Sequence, residues 1–158
     1  MKFPLRRVVS GHDANGRAMI LIDDVPRNVI SRRPGHSSVV LWTTDSSPAD
    51  NNGDFDAALR KVDRAAPNGT VFRVAELEPG VAPARHRTES IDYIVILSGE
   101  MDMELDGVEV HLKAGDFLVQ RGTIHNWVNR GKEPCVYAVV LVASKPVTAG
   151  GKVLTATG

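Results

Sequence analysis

Two histidines and an aspartate, His86, Asp92 and His125, are the residues whose types and spacing best suit chemistry in this chain. Side chains two apart on a β-strand share a face, and His86, Thr88 and Asp92 differ by even numbers. A second set shares a face in the same way: His125, Trp127 and Asn129. Imidazole and carboxylate groups held away from bulk water can exchange protons with a substrate near neutral pH. The pattern therefore predicts an acid/base site for proton abstraction from a small keto or hydroxy compound.

Short alternating segments from residue 70 onward must position these side chains. Strands are predicted over 71–77, 91–97, 117–120 and 137–142. The Gly, Pro and Asp residues between them are typical of an all-β sandwich or barrel. Asp106-Gly107 lies between two alternating runs and predicts a tight hairpin in which Met101 faces Leu112. In that register His111 falls on the polar, solvated face and is not a site residue.

The spacing of glycines and polar residues gives a more specific signal. Five residues separate each neighbouring pair among Gly80, His86 and Asp92, six lie between Asp92 and Gly99, and Gly115 and His125 follow. This pattern resembles the two motifs of the cupin superfamily, with Thr88 in place of the family's second histidine and Asp92 in place of its glutamate. The resemblance covers residues 70–142. It implies an all-β fold, a cupin-type double-stranded β-helix or jelly-roll barrel with an N-terminal strand arm.

The resemblance also places His86, Asp92 and His125 at the family's metal-ligand positions. Two imidazoles and a carboxylate can hold one divalent ion, Zn, Fe, Mn or Ni, and leave positions open for substrate. Thr88 is not carried over as a ligand, because a neutral hydroxyl binds first-row metals poorly. The same three side chains can act as catalytic residues without a metal, so a metal-bound and a metal-free site are both open.

Residues expected near the barrel mouth or interior would bind the substrate: Thr88, Arg85, Arg121, Trp127 and Asn129. An arginine can hold a carboxylate by two parallel hydrogen bonds, and Trp127 would form an aromatic wall. We expect a lyase or isomerase that dehydrates or decarboxylates a small oxygenated or aromatic acid. A non-catalytic ligand-binding cupin is the alternative, favoured by Thr88, and an iron-dependent dioxygenase is a third.

Bulk properties limit the partners and the compartment. The 19 basic and 19 acidic residues give no general attraction to nucleic acid or anionic membranes. Charges within residues 1–10 argue against a signal peptide, and no apolar run approaches the ~20 residues of a membrane span. Cys135 is the only cysteine, so no internal disulfide forms. We expect a cytoplasmic protein with a small-molecule ligand or substrate and with no nucleic-acid or membrane partner.

The chain divides into three predicted parts. Residues 1–69 form an N-terminal arm of strands and loops that packs on the barrel or on a partner subunit, and residues 70–145 form the barrel. Residues 146–158 form a C-terminal tail, which is expected to be frayed over 148–158. His12 and His36 fall in loop-like stretches and are expected at the surface. A homodimer is expected, because exposed edge strands and an apolar arm both gain from being covered.

Overall fold

A computed structural model describes residues 4–158 and shows an all-β protein. Its strands are β1 (Arg7–His12), β2 (Ala18–Asp24), β3 (Val29–Arg33), β4 (His36–Thr44), β5 (Thr70–Leu77), β6 (Ser90–Ser98), β7 (Glu100–Glu104), β8 (Glu109–Lys113), β9 (Phe117–Arg121), β10 (Asn126–Val128), β11 (Cys135–Ala143), β12 (Val147–Ala149) and β13 (Lys152–Leu154). Within the described part of the chain, a 3₁₀ turn at Ala57–Leu59 is the only helical element. The predicted all-β fold class is confirmed.

Two antiparallel sheets form the barrel. The larger has six strands in the order β3-β4-β5-β11-β6-β9, and the smaller has three in the order β10-β7-β8. The buried core joins residues of both sheets, among them Leu77, Ile96 and Tyr137 of the larger and Met101 and Trp127 of the smaller. Alternation explains this core, because one face of each strand supplies its apolar side chains.

The β7–β8 hairpin has the predicted register. Met101 pairs with Leu112 and Asp102 with His111, and the Leu105 N–H closes the turn by donating to the Val108 carbonyl. His111 lies on the outer face as expected, with half of its side chain exposed. The Asp106-Gly107 turn and strict alternation are therefore sufficient to determine the register of this hairpin.

The N-terminal segment contributes directly to the barrel. Strand β4 pairs with β5 along its whole length, so part of the predicted 1–69 arm lies in the same sheet as the predicted 70–145 core. The separate β1–β2 hairpin is fastened by buried Arg7, whose guanidinium donates to Asp24 and Asp56. Residues 1–3 of the predicted arm lie outside the described residues, and the three domain boundaries stay predictions.

The last residues are more ordered than expected. Strands β12 and β13 form a hairpin, and an isolated bridge joins Arg87 to Thr157. The expectation of a frayed tail is therefore corrected for residues 148–157. No helix found among residues 4–158 has the length and apolar character needed to cross a membrane.

Candidate active site

The barrel encloses a cavity of about 160 Å³, hereafter the barrel cavity. Val139 and Leu141 of β11 form its apolar floor. Strand β5 borders this floor on one side with Arg73, which pairs with Val139. Strand β6 borders it on the other side with Asp92, which pairs with Leu141. Inward-facing positions of three neighbouring strands thus place a cation and an acid on opposite sides of an apolar surface.

His86 and His125 form a close pair in the wall of the barrel cavity. Each backbone N–H donates to the other residue's carbonyl, at 2.9 and 3.0 Å, and the ring centroids lie 4.2 Å apart. The Nδ1–H of His86 donates to the Ala84 carbonyl at 2.9 Å, because a carbonyl can only accept. The neutral His86 ring therefore keeps its lone pair on Nε2. Burial lowers the pKa of His86, which favours this neutral, basic form.

His125 is held more tightly than His86. It is 1% exposed, and its Nδ1 lies 2.9 Å from Gln120 Nε2 and 3.0 Å from the Thr123 carbonyl. The Thr123 hydroxyl donates to Gln120 Oε1, which fixes the orientation of the Gln120 amide. Burial, followed by the nearby His86, lowers the pKa of His125 to about 4. His125 is therefore neutral near pH 7, and its edge packs against Trp127 at a centroid distance of 5.1 Å.

Thr88 and Asp92 both line the barrel cavity, and the Ser90 hydroxyl joins them by hydrogen bonds. The Ser90 hydroxyl donates to Asp92 Oδ1 and lies 2.8 Å from the Thr88 hydroxyl. Because Ser90 has one hydroxyl proton, its contact with ionised Asp92 requires Thr88 to donate to Ser90. Burial raises the pKa of Asp92 to about 6, although Ser90 and Arg73 oppose this shift. Asp92 can therefore change protonation state within the ordinary working range of an enzyme.

The barrel cavity also contains groups that the sequence analysis missed. His36 Nε2 lies 3.1 Å from the Tyr137 hydroxyl, and both side chains line the cavity. The expectation that His36 is a surface residue is wrong, because it begins strand β4 beside the end of β5. Four cationic residues line the cavity too: Arg32, Arg33, Arg64 and Arg73. Parity could have identified Arg73, since it shares a strand face with apolar Val71, Ala75 and Leu77.

The predicted substrate-binding residues separate into two groups. Thr88 and Trp127 line the barrel cavity, together with His86, Asp92 and His125. Arg85, Arg121 and Asn129 do not, and their placement is corrected. Arg85 is exposed and pairs with Asp106, and Arg121 is exposed at the end of an edge strand. Asn129 is buried but donates to the carbonyls of Leu77 and Glu133, so it supports the backbone.

The residues present do not fit the predicted three-ligand metal site. In the described region, 4–158, no three His, Cys, Asp or Glu side chains are grouped so as to hold a metal ion. Asp92 lies on β6 and is bonded to Ser90, whereas the two histidines are paired across the wall. The ligand set His86, Asp92 and His125 is therefore not assembled, and we derive no chemistry through a metal. Metal binding itself stays a prediction.

Comparisons with known proteins agree with this architecture. The cupin domain model matches residues 73–142. Phomopsin biosynthesis cluster protein C' of Diaporthe leptostromiformis is 36% identical, over 94% of this chain and 83% of that protein. The cupin-domain-containing oxidoreductase fogC of Aspergillus ruber is 31% identical, over 92% of this chain and 76% of its own length.

Solved structures show the same fold. A Klebsiella pneumoniae protein with a double-stranded β-helix domain superposes with a TM-score of 0.52 at 22% identity, covering 74% of this chain and 84% of that one. KdgF from Halomonas sp. superposes with a TM-score of 0.51 at 17% identity, covering 73% and 86%. From its sequence motifs, its barrel and these relatives, the chain belongs to the cupin superfamily.

Proposed function

We propose that this cupin is a small-molecule enzyme that moves a proton on a small oxygenated or aromatic acid, as a lyase or isomerase does. The observation that carries the proposal is the neutral His86, whose Nε2 lone pair is left free by its Nδ1 hydrogen bond. His86 lies in a cavity that is also lined by Thr88 and Asp92, which are joined through the Ser90 hydroxyl. A base and a hydroxyl-linked acid in one cavity suit proton abstraction next to a carbonyl.

In the proposed reaction, His86 Nε2 takes a proton from the carbon beside the substrate carbonyl. The electron pair of the broken C–H bond moves into the carbonyl, and the oxygen gains negative charge. The Thr88 hydroxyl donates a hydrogen bond to that oxygen. Return of the proton from His86 to a different carbon gives isomerisation. In dehydration the electron pair returns from the oxygen to form a carbon–carbon double bond and expels the β-hydroxyl, which leaves as water with the proton held by His86.

Asp92 and His125 support these steps in different ways. Protonated Asp92 supplies a proton to Thr88 through Ser90, since each hydroxyl can accept one proton as it passes on another. His125 stays neutral and holds the His86 ring by the paired backbone bonds and the ring contact. Trp127 packs on His125 and excludes water from that side.

Hydrogen exchange with solvent tests the proposal without requiring knowledge of the final product. Small keto and hydroxy acids are incubated with the protein in heavy water, and deuterium at the carbon beside the carbonyl is followed by NMR. The wild type is expected to label at least one acid, and His86→Gln to lose the labelling by about 100-fold or more. His12→Gln, at an exposed histidine, is the matched control. Exchange unchanged in His86→Gln, or absent for every acid, would contradict the proposal.

A second candidate function is oxidation-reduction, favoured by relatives named as oxidoreductases, fogC of Aspergillus ruber among them. Elemental analysis of protein purified without chelators, with His86→Ala as control, tests it. Near-stoichiometric iron that disappears in His86→Ala would favour this candidate over metal-free proton transfer. Ligand binding without turnover or solvent exchange would favour a non-catalytic cupin.

A further inference from the structure

Arg73 is a buried cation with a hydrogen-bond donor that the described residues leave unpartnered. Its side chain is 8% exposed, and its Nε–H has no partner within the described residues. One terminal nitrogen donates to the Arg64 carbonyl. An unsatisfied charged donor in the interior is destabilising, because it loses its hydrogen bonds to water and gains none in return. An unpartnered buried donor of this kind is accounted for by a functional role or by a bound ion or water molecule.

Arg73 lies across the apolar floor of the barrel cavity from Asp92. Arg73 and Asp92 lie on strands β5 and β6, which flank β11 on either side. Neighbouring strands are about 4.8 Å apart, so the two backbones are separated by about 10 Å across the apolar floor. A ligand bound to Arg73 at one end would therefore lie over Val139 and Leu141 and reach Asp92 at the other.

The charge at this side of the barrel cavity is strongly positive. Arg33 and Arg64 also line it, and Arg33 donates to the Ala82 carbonyl. Arg32 differs, because it forms an ion pair with exposed Asp63 at 2.6 Å. Burial lowers the pKa of Arg33 and of Arg73, as expected of cations whose charge is incompletely compensated. An anionic ligand would supply the missing charge.

We propose that Arg73 is the binding residue for the carboxylate of the substrate, with Arg33 and Arg64 supplying supporting positive charge. The carboxylate accepts two hydrogen bonds from the guanidinium, one of them from the unpartnered Nε–H. The ligand is an acid about the size of one aromatic ring, because a cavity of about 150 Å³ accommodates benzene. This inference rests on the proposed function only in treating the barrel cavity as the substrate site.

Calorimetric titration with benzoate and with benzamide tests the proposal on the full-length protein. The two probes have nearly the same shape, but only benzoate is charged. Arg73→Met is expected to weaken benzoate binding by about 10-fold to 100-fold and to leave benzamide binding unchanged. Arg85→Met is the matched control, since Arg85 is exposed and paired with Asp106, and it should leave both affinities unchanged.

Stability separates a binding role from a structural one. Without ligand, Arg73→Met should unfold at an equal or higher urea concentration, because it removes an incompletely partnered buried charge. A clear loss of stability would show that Arg73 serves the fold and would overturn the proposal. Arg73→Lys is a second variant, which retains the positive charge. Lysine lacks the planar fork, so benzoate affinity should fall at least about threefold.

Three binding results would overturn the inference. They are equal benzoate affinity in the wild type and the Arg73 variant, no benzoate binding to the wild type, and inorganic phosphate binding at Arg73 more tightly than benzoate. Failure of the proposed function gives a different result. In that case benzoate binding would still depend on Arg73, while no acid would exchange hydrogen with solvent.

Discussion

The pKa of His36 gives a quantitative test of how burial and nearby arginines affect the side chains of the barrel cavity. Its Nε2 lies 3.1 Å from the Tyr137 hydroxyl, and it lines a cavity shared with four arginines. Burial, followed by the positive charges of Arg33 and Arg73, lowers its pKa from 6.5 to about 4. The substitution His36→Gln keeps a polar group near Tyr137 and removes the titration.

The size and sign of the effect follow from proton binding. Well above pH 6.5 His36 is neutral in the folded and unfolded states, so its pKa shift has no effect on stability. As the pH falls from 6.5 toward 4, the unfolded chain binds a proton that the folded protein does not. At about 1.4 kcal/mol per pKa unit, the free energy of unfolding falls by about 3 kcal/mol in total, and by about 2 kcal/mol at about pH 5.

Urea denaturation from about pH 7.5 to about pH 5 measures this loss. The free energy of unfolding of His36→Gln minus that of the wild type should increase by about 2 kcal/mol over this range. His12→Gln is the matched control, because an exposed histidine meets similar solvent in the folded and unfolded states. A His36→Gln difference that does not change with pH would refute the burial of His36 beside the arginines.

Four further predictions concern other parts of the molecule. Burial raises the pKa of Asp92 from 3.8 to about 6, so the wild type loses stability as the pH rises through this range. The free energy of unfolding of Asp92→Asn minus that of the wild type should therefore increase by about 3 kcal/mol in total. A difference in urea titrations that does not change with pH would contradict this. His111→Gln should act in the opposite direction to His36→Gln, since Asp102 raises the pKa of His111 and stabilises the fold at low pH; a same-sign pH dependence would refute it. Cys135 should react with iodoacetamide only at urea concentrations that unfold the protein, because the thiol is fully buried and its pKa is raised to about 12. Labelling of the native protein would refute this. We propose a homodimer across the edge strand β9, where Phe117 is 78% exposed. Light scattering should show a dimer that Phe117→Glu converts to a monomer. A wild-type monomer at micromolar concentration would contradict the proposal.

Local rules were sufficient for much of the fold and for part of the site. The hairpin register came from the Asp106-Gly107 turn, and even spacing correctly placed Thr88 and Asp92 on the inner face of the barrel. Parity works here because a strand has only two faces and one of them is buried. The cupin motif spacing located the His86 and His125 pair, although it implied a metal-ligand set that the geometry does not assemble.

The missed residues depend on contacts between distant segments. His36 and Tyr137 are 101 residues apart, and only the pairing of β4 with β5 and of β5 with β11 brings them together. Arg85 was expected near the barrel mouth, but it directly precedes His86, and adjacent residues on an extended chain point in opposite directions. Its side chain consequently lies outside the cavity, beside Asp106.

Histidine side-chain NMR during a benzoate titration tests the central claim most directly, that an acid binds in the barrel cavity between Arg73 and the histidine pair. The chain has five histidines, of which His36, His86 and His125 line this cavity. We predict that benzoate shifts the imidazole nitrogen signals of these three and leaves those of His12 and His111 unchanged. Shifts confined to His12 or His111, or none at saturating benzoate, would contradict the account.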